Sequence, residues 1–260
     1  MRKNSPKFNQ MNKTAPENIL VIDIGGSHVK GIIINSNLKV VHPYQKTPTP
    51  PNLKPATLMA TIKTLTKNFT HFDKVAVGFP GYVKQGIVYT APNLNDFAFR
   101  KFPLSEELAA FFNKPVRLVN DADLQGFALV KGKGFEMVIT LGTGFGTALF
   151  MDGVLLPHLE LAHLPVRKNY DYDDFLGDAA LELEGDKKWN KKLKEVLDNF
   201  RTVFNFDHLY ISGGNAKHIN FALPEDISIE SNRDGIKGGA VLWNAVETYS
   251  LKTIFPKSIA

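Results

Sequence analysis

Two glycine-rich turns and one acidic pair are the residues of this chain best suited to chemistry. Asp23-Ile24-Gly25-Gly26-Ser27-His28-Val29-Lys30 and Leu141-Gly142-Thr143-Gly144-Phe145-Gly146-Thr147 each follow an apolar run and lead into another, and Asn120-Asp121-Ala122-Asp123 lies between them. Glycines placed after a strand leave backbone N–H groups open to phosphate oxygens, because no Cβ shields them and a positive φ costs little. Two such turns can clamp a phosphate chain from both sides, while an ionised carboxylate nearby takes the proton of an attacking hydroxyl. The pattern predicts phosphoryl transfer. It is not a dinucleotide fingerprint, since the second turn runs G-x-G-x-G into a strand rather than a helix, and the chain holds no G-x-x-x-x-G-K-[ST] loop.

The elements that must position these residues follow from the hydrophobic pattern. Apolar runs predict strands over Ile19 to Asp23, Val29 to Asn35 and Leu38 to His42, the first three of an antiparallel set. Thr47-Pro48-Thr49-Pro50-Pro51 reads as a breaker loop, and Leu58, Ile62 and Leu65 give helical spacing to Pro55 to Lys67. Strands at Val75 to Phe79 and Val116 to Asn120 and helices at Leu104 to Phe112 and Ala122 to Lys131 complete the first half, which puts Asp121 at a strand-to-helix junction. A helix start favours an anion there. The second half repeats the grammar with strands Met137 to Leu141, Gly146 to Met151, Val154 to Leu156, Leu209 to Ser212 and Ile227 to Glu230. Helical stretches fall at Tyr172 to Leu183, Lys187 to Phe204 and Gly235 to Thr248. Two copies of a β-β-β-α-β-α unit imply two lobes with a ligand cleft between them. The expected boundaries are a flexible basic extension over 1–17, a smaller α/β lobe over 18–119 and a larger one over 120–260, its last helix packing back on the first lobe.

Composition narrows the class. At 260 residues and 43% hydrophobic content the chain can bury a substantial core, and without cysteine it has neither a disulfide scaffold nor a zinc site built on thiolates. The start is polar rather than a secretion signal, and no apolar run reaches the roughly 18 residues of a membrane span. A cytoplasmic enzyme is expected, with no membrane partner. Of the net charge of +5, Arg2, Lys3, Lys7 and Lys13 supply four units ahead of the first acid, so the remainder is nearly neutral and no nucleic-acid partner is expected.

Taken together and in order, Asp23-Ile24-Gly25-Gly26-Ser27, Gly78-Phe79-Pro80-Gly81, Asn120-Asp121-Ala122-Asp123, Thr140-Leu141-Gly142-Thr143-Gly144, Glu160-Leu161-Ala162-His163 and Ser212-Gly213-Gly214-Asn215 resemble the ROK family of sugar kinases and related regulators. The short length and lack of cysteine look most like its polyphosphate glucokinases. The resemblance implies a duplicated actin-like, ribonuclease-H-like α/β fold and transfer of a terminal phosphoryl group from ATP or inorganic polyphosphate to a hexose, with glucose expected. Small-molecule hexose and phosphate donor are the expected partners, and a homodimer the expected assembly. The family also contains DNA-binding repressors, which place a helix-turn-helix domain ahead of this core, where here only some sixteen residues precede Glu17. The alternative is therefore a sugar-binding regulator or non-catalytic sensor.

The resemblance also assigns roles. Asp121 is the expected general base and Asn120 a sugar contact, although both are equally good helix caps; Asp123 is expected to complement the helix dipole. Gly81, Asn93, Glu160 and His163 belong to the sugar side, with an ordinary Pro-Asn turn as the other reading of Asn93. A carboxylate and an imidazole suit vicinal hydroxyls, which both donate and accept. Ala162 stands where the family motif has glycine. Asp23, Gly25, Gly26, Ser27, Lys30, Thr140, Gly142, Thr143, Gly144, Gly213, Gly214 and Asn215 form the donor side, with Asp23 orienting Mg2+ directly or through water. Many family members pin the histidine with a cysteine-bound zinc; here packing by Tyr170, Tyr172 and Phe175 is expected instead. A further acidic sugar contact follows, and Asp174, Asp178 and Glu182 are its candidates. Lys187, Lys188, Lys191, Lys192 and Lys194 form a basic run, either a solvated helix face or a rim that attracts a polyanionic donor.

Overall fold

The computed structural model describes residues 15–231 and 235–257; the expected extension lies outside the described residues as far as residue 14. Three antiparallel strands open the chain: β1 (Asn18–Ile24), β2 (His28–Asn35) and β3 (Val40–Pro48). Helix α1 (Pro55–Leu65) then crosses to β4 (Lys74–Phe79), which lies parallel to β1. A small hairpin, β5 (Val83–Lys84) and β6 (Ile87–Val88), and two helices, α2 (Asp96–Phe99) and α3 (Leu104–Phe112), lead to β7 (Val116–Asn120), parallel to β4. Helix α4 (Asp121–Gly126) follows without a linker. Strand β1 is buried along nearly its whole length because both of its faces are covered. Leu20, Ile22 and Ile24 meet Leu58 and Ile62 of α1, whereas Ile19 and Val21 point the other way, into the core that contains Leu124 of α4.

The second half repeats this plan. Strands β8 (Phe135–Leu141), β9 (Phe145–Met151) and β10 (Val154–Leu155) are antiparallel, and a hairpin of β11 (Pro165–Arg167) and β12 (Tyr170–Asp171) comes next. Helices α5 (Tyr172–Leu176) and α6 (Asp178–Phe204) precede β13 (His208–Ser212) and β14 (Ile227–Ile229), both parallel to β8's direction. The second sheet runs β10-β9-β8-β13-β14, and the first carries the same arrangement as β3-β2-β1-β4-β7. Met137, Ile139 and Leu141 face Trp189, Leu193 and Phe200 of α6, while Val138 and Phe150 share a core with Leu124 and Val21. Helix α4 is thus held between the two sheets, and the residue that starts it is Asp121. Helix α7 (Gly238–Leu242) packs on α4 and β1, after which β15 (Thr253–Ile254) pairs antiparallel with β7.

Several elements differ from the sequence reading, each for a local reason. Strand β3 starts later and runs through Thr47 to Pro48, since an edge strand tolerates proline and Leu38 turns instead with φ 61°. Helix α4 loosens into turns after Gly126, whose missing Cβ would stand 2.6 Å from the Phe150 ring. The stretch expected as one helix from Tyr172 breaks at Gly177, and α6 runs on to Phe204 across a kink at Gly185, where φ is 72°. The last helix is one short turn rather than Gly235 to Thr248, and it leaves the chain free to add β15 to the first sheet, a strand the hydrophobic pattern does not reveal.

Candidate active site

Parallel strands carry their carboxyl ends to one edge of a sheet, which is where α/β folds open a ligand crevice. Here the ends of β1, β4, β7, β8 and β13 border one cavity of about 310 Å³. Gly25, Gly26, Ser27 and Lys30 come from the first turn, Gly81 and Asn93 from the segment after β4, and Asn120 and Asp121 from the β7–α4 junction. The other half contributes Thr140, Gly142, Thr143, Gly144, Glu160, His163, Gly213 and Gly214. A Cβ on Gly26, Gly142 or Gly214 would meet no atom within 4 Å, so the backbone at these points borders open space. Gly213 has φ 98°, and a Cβ there would lie 2.1 Å from the Leu141 carbonyl oxygen, so only glycine lets the turn after β13 touch the one after β8.

Two expected donor-side residues stand behind this lining. Asp23 is 8% exposed and accepts from Lys30 Nζ at 2.9 Å. Burial lowers the proton affinity of the Lys30 ammonium, the Asp23 charge and hydrogen bond raise it, and the net direction is upward. Asn215 is buried, and its Nδ2 donates to Asp178 Oδ1 at 2.7 Å and to the Gly142 carbonyl at 3.3 Å. It holds the second glycine turn rather than facing the cavity.

At the centre, Asn120 caps α4 and Asp121 begins it. The Asn120 Oδ1 accepts the Ala122 N–H at 2.7 Å and its Nδ2 donates to the Gly81 carbonyl at 3.2 Å, so it ties α4 to the turn after β4. Asp121 also accepts from Ala122 N–H, at 3.0 Å through Oδ1. Burial, with the Asp23 carboxylate adding to it, pushes the Asp121 carboxyl up to about 7. That lies near neutrality, as a general base requires.

Beside the residues expected on the sugar side lie two that sequence reasoning missed. His158 is buried, with Nδ1 3.1 Å from Asp123 Oδ1 and Nε2 3.6 Å from Glu160 Oε1. Asp123 lies in the first turn of α4 as expected, but it is 2% exposed and also holds a histidine. Burial disfavours the imidazolium, but the charge and hydrogen bond of Asp123 and the nearby Glu160 carboxylate outweigh that and push His158 up to about 10. Its position two residues before Glu160 was the available signal. The second is Asp173, which lines the cavity, accepts the Phe145 N–H at 2.6 Å and takes a 3.4 Å contact from Asn93 Nδ2. None of the three acidic candidates occupies this place. Asp174 closes a capping box with Asp171, Asp178 binds Asn215, and Glu182 is exposed on α6. The D-x-x-D spacing of that box was the clue that Asp171 and Asp174 are spent on the helix end, leaving Asp173. Burial raises the Asp173 carboxyl's affinity for its proton.

His163 lies at the rim with Nδ1 3.2 Å from Asp171 Oδ2, and the β11–β12 hairpin carries Asp171 to it. Tyr172 stacks on Phe145 at 5.3 Å, and Phe175 is buried beneath Arg167 and Lys192, whereas Tyr170 is exposed and adds nothing to this packing. Of the basic run, Lys192 pairs with Glu184 at 2.6 Å, and the other four are exposed on α6; none lines the cavity. Among the described residues no cluster of three or more acidic or histidine side chains forms a metal cage. Asp23, behind the lining and paired with Lys30, suits magnesium held through water, since that ion keeps its waters and takes one or two carboxylates with the donor's phosphates.

The sequence model of the ROK family matches residues 19–160, more than half of the chain. A polyphosphate glucokinase of Mycobacterium leprae (strain TN) is 32% identical over 225 residues, 81% of this chain and 67% of that protein. The polyphosphate glucokinase of Mycobacterium tuberculosis (strain ATCC 25618 / H37Rv) is 29% identical over 202 residues, covering 74% of this chain and 76% of its own. Among solved structures, an inorganic polyphosphate/ATP-glucomannokinase from Arthrobacter sp. strain KM superposes with a TM-score of 0.78 at 28% identity, over 86% of this chain and 97% of that one. A ROK family glucokinase from Streptomyces griseus, in complex with glucose and AMPPNP, shares the fold at a TM-score of 0.71 and 16% identity, over 86% and 98% of the two chains. With its duplicated actin-like architecture, its paired glycine turns and these relatives, the chain belongs to the ROK family.

Proposed function

We propose that this phosphotransferase is a hexose kinase that moves the terminal phosphoryl group of ATP or inorganic polyphosphate to the 6-hydroxyl of a hexose, with glucose as the expected acceptor. The observation that carries the reading is Asp121, a half-buried carboxylate raised to about 7 that lines a cavity walled by two glycine turns. In the reaction the sugar oxygen forms a bond to the terminal phosphorus as the bridging P–O bond to the rest of the donor breaks. The hydroxyl proton passes to Asp121, whose proton affinity is matched to that transfer. The backbone amides of Gly25, Gly26 and Ser27 and of Gly142, Thr143 and Gly144 hold the donor's phosphates, assisted by Lys30 and the hydroxyl of Thr140 or Thr143. Asn93, Asn120, Glu160 and His163 orient the sugar, and Gly81 fixes Asn120 through its carbonyl. Asp23, directly or through water, would hold magnesium, which when bound would supply charge neutralisation for the phosphates.

The M. leprae, M. tuberculosis and Arthrobacter proteins support polyphosphate as a donor, and the glucomannokinase supports an acceptor range that includes glucose. A matrix of hexoses against ATP and polyphosphate, scored by sugar phosphate formed, tests the proposal. Sugar binding without product from either donor would leave a non-catalytic sensor.

A further inference from the structure

Glu160 presents an oxygen that the folded chain leaves unanswered. Its Oε1 is buried and has no hydrogen-bond partner, a state that costs free energy unless a ligand completes it. The nearest cationic group is His158 Nε2 at 3.6 Å, too far for a hydrogen bond. The other nitrogen of that ring, Nδ1, lies 3.1 Å from Asp123 Oδ1; a carboxylate only accepts, so Nδ1 carries a proton and donates it. With Nδ1 committed and Nε2 also turned to a carboxylate, both nitrogens face acceptors and the ring is held as imidazolium. His158 and Asp123 are each only 4% exposed at the side chain, so neither moves freely.

We propose that His158 is a positioning residue for the sugar, fixed by Asp123 and aimed so that its Nε2–H and the orphaned Glu160 Oε1 together grip one sugar hydroxyl. A hydroxyl set to one side of the pair, at the apex of a triangle whose base is their 3.6 Å separation, donates to Oε1 and accepts from Nε2–H. The upward shift of His158, caused by these same two carboxylates, keeps the donor proton in place through neutral pH. The inference rests on the sugar-kinase reading, and it adds a contact to that site which the motif residues Glu160 and His163 do not include.

Two amide substitutions separate the roles of the two ring nitrogens. The amide nitrogen of His158→Gln reaches the position of Nε2, whereas that of His158→Asn reaches only Nδ1. Full-length wild type and both variants are assayed for hexose KM, donor KM, kcat and melting midpoint. The Asn variant is expected to keep Asp123 satisfied and its melting midpoint near wild type, yet to raise hexose KM roughly tenfold with little change in donor KM. The Gln variant is expected to restore hexose KM to within about threefold of wild type. Normal hexose KM in the Asn variant would reduce His158 to a structural partner of Asp123, and equal loss in both variants would also overturn the inference. Should either substitution lower the melting midpoint, calorimetric hexose affinity measured well below that midpoint gives the same comparison. A wild-type protein that phosphorylates no sugar would instead sink the kinase reading.

Discussion

At Asp121 catalysis and stability pull in opposite directions. Its proton affinity, raised to about 7 by burial and by Asp23, gives a base that is ready at neutral pH but charged in a place that disfavours charge. In the unfolded chain the same carboxyl titrates near 4, so the native state binds the proton more tightly and stability falls as pH rises from about 4 to about 7. Asp121→Asn keeps the shape and the N–H acceptor but cannot take a proton. We expect kcat to fall by about 10² to 10⁴ with hexose affinity retained. The melting midpoint at pH 8 is expected to rise above wild type, with the difference shrinking toward pH 4. Steady-state kinetics, calorimetry and melting on one preparation check this; near-normal kcat would remove Asp121 as the base. In the wild type, kcat/KM should climb through about pH 7 as Asp121 loses its proton.

Single elements place these residues through close approach. Gly78 on β4 lets α4 lie directly against the strand: a Cβ there would stand 2.8 Å from Leu124 Cδ2 and 3.2 Å from the Asp121 Cα. Gly78→Ala is expected to push the start of α4 outward. Displacement of a reacting group by a fraction of an ångström to an ångström costs up to about 10²-fold in rate, so we expect kcat to fall tenfold or more while the fold survives. Unchanged kcat would show that Leu124 absorbs the methyl instead. Helix α6 raises a different issue. Lys187, Lys188 and Lys191 are exposed and do not line the cavity, so only a donor longer than the cavity would engage them. Neutralising all three to Gln is expected to raise polyphosphate KM several-fold and flatten its salt dependence, with ATP kinetics nearly unchanged. Equal effects on both donors, or none, would return the lysines to a solvated face.

For the whole molecule, the cavity is walled from both halves: Gly81 and Asn93 on one side, Glu160, His163 and Asp173 on the other, with α4 between the sheets. A sugar that touches both walls gains most when they approach, so saturating hexose should contract the radius of gyration in small-angle scattering. An unchanged radius would argue for a preformed site. Much of this arrangement was legible in the chain. Local rules fix a strand, a glycine turn and a returning strand within a few residues, which is why Gly25, Gly26, Asn120, Asp121, Gly142 and Gly144 could be named and found on one cavity. The matching order of β-strands in the two halves follows from the same local grammar repeated. Partners far apart in sequence were not legible. Asp123 pairs with His158 across 35 positions, Asn93 with Asp173 across 80, and β15 with β7 across more than a hundred, through contacts that leave no periodicity in either segment. Residue type and spacing therefore determined which groups could do chemistry, while only tertiary packing decided which carboxylates are buried, which are paired, and which remain free for a substrate.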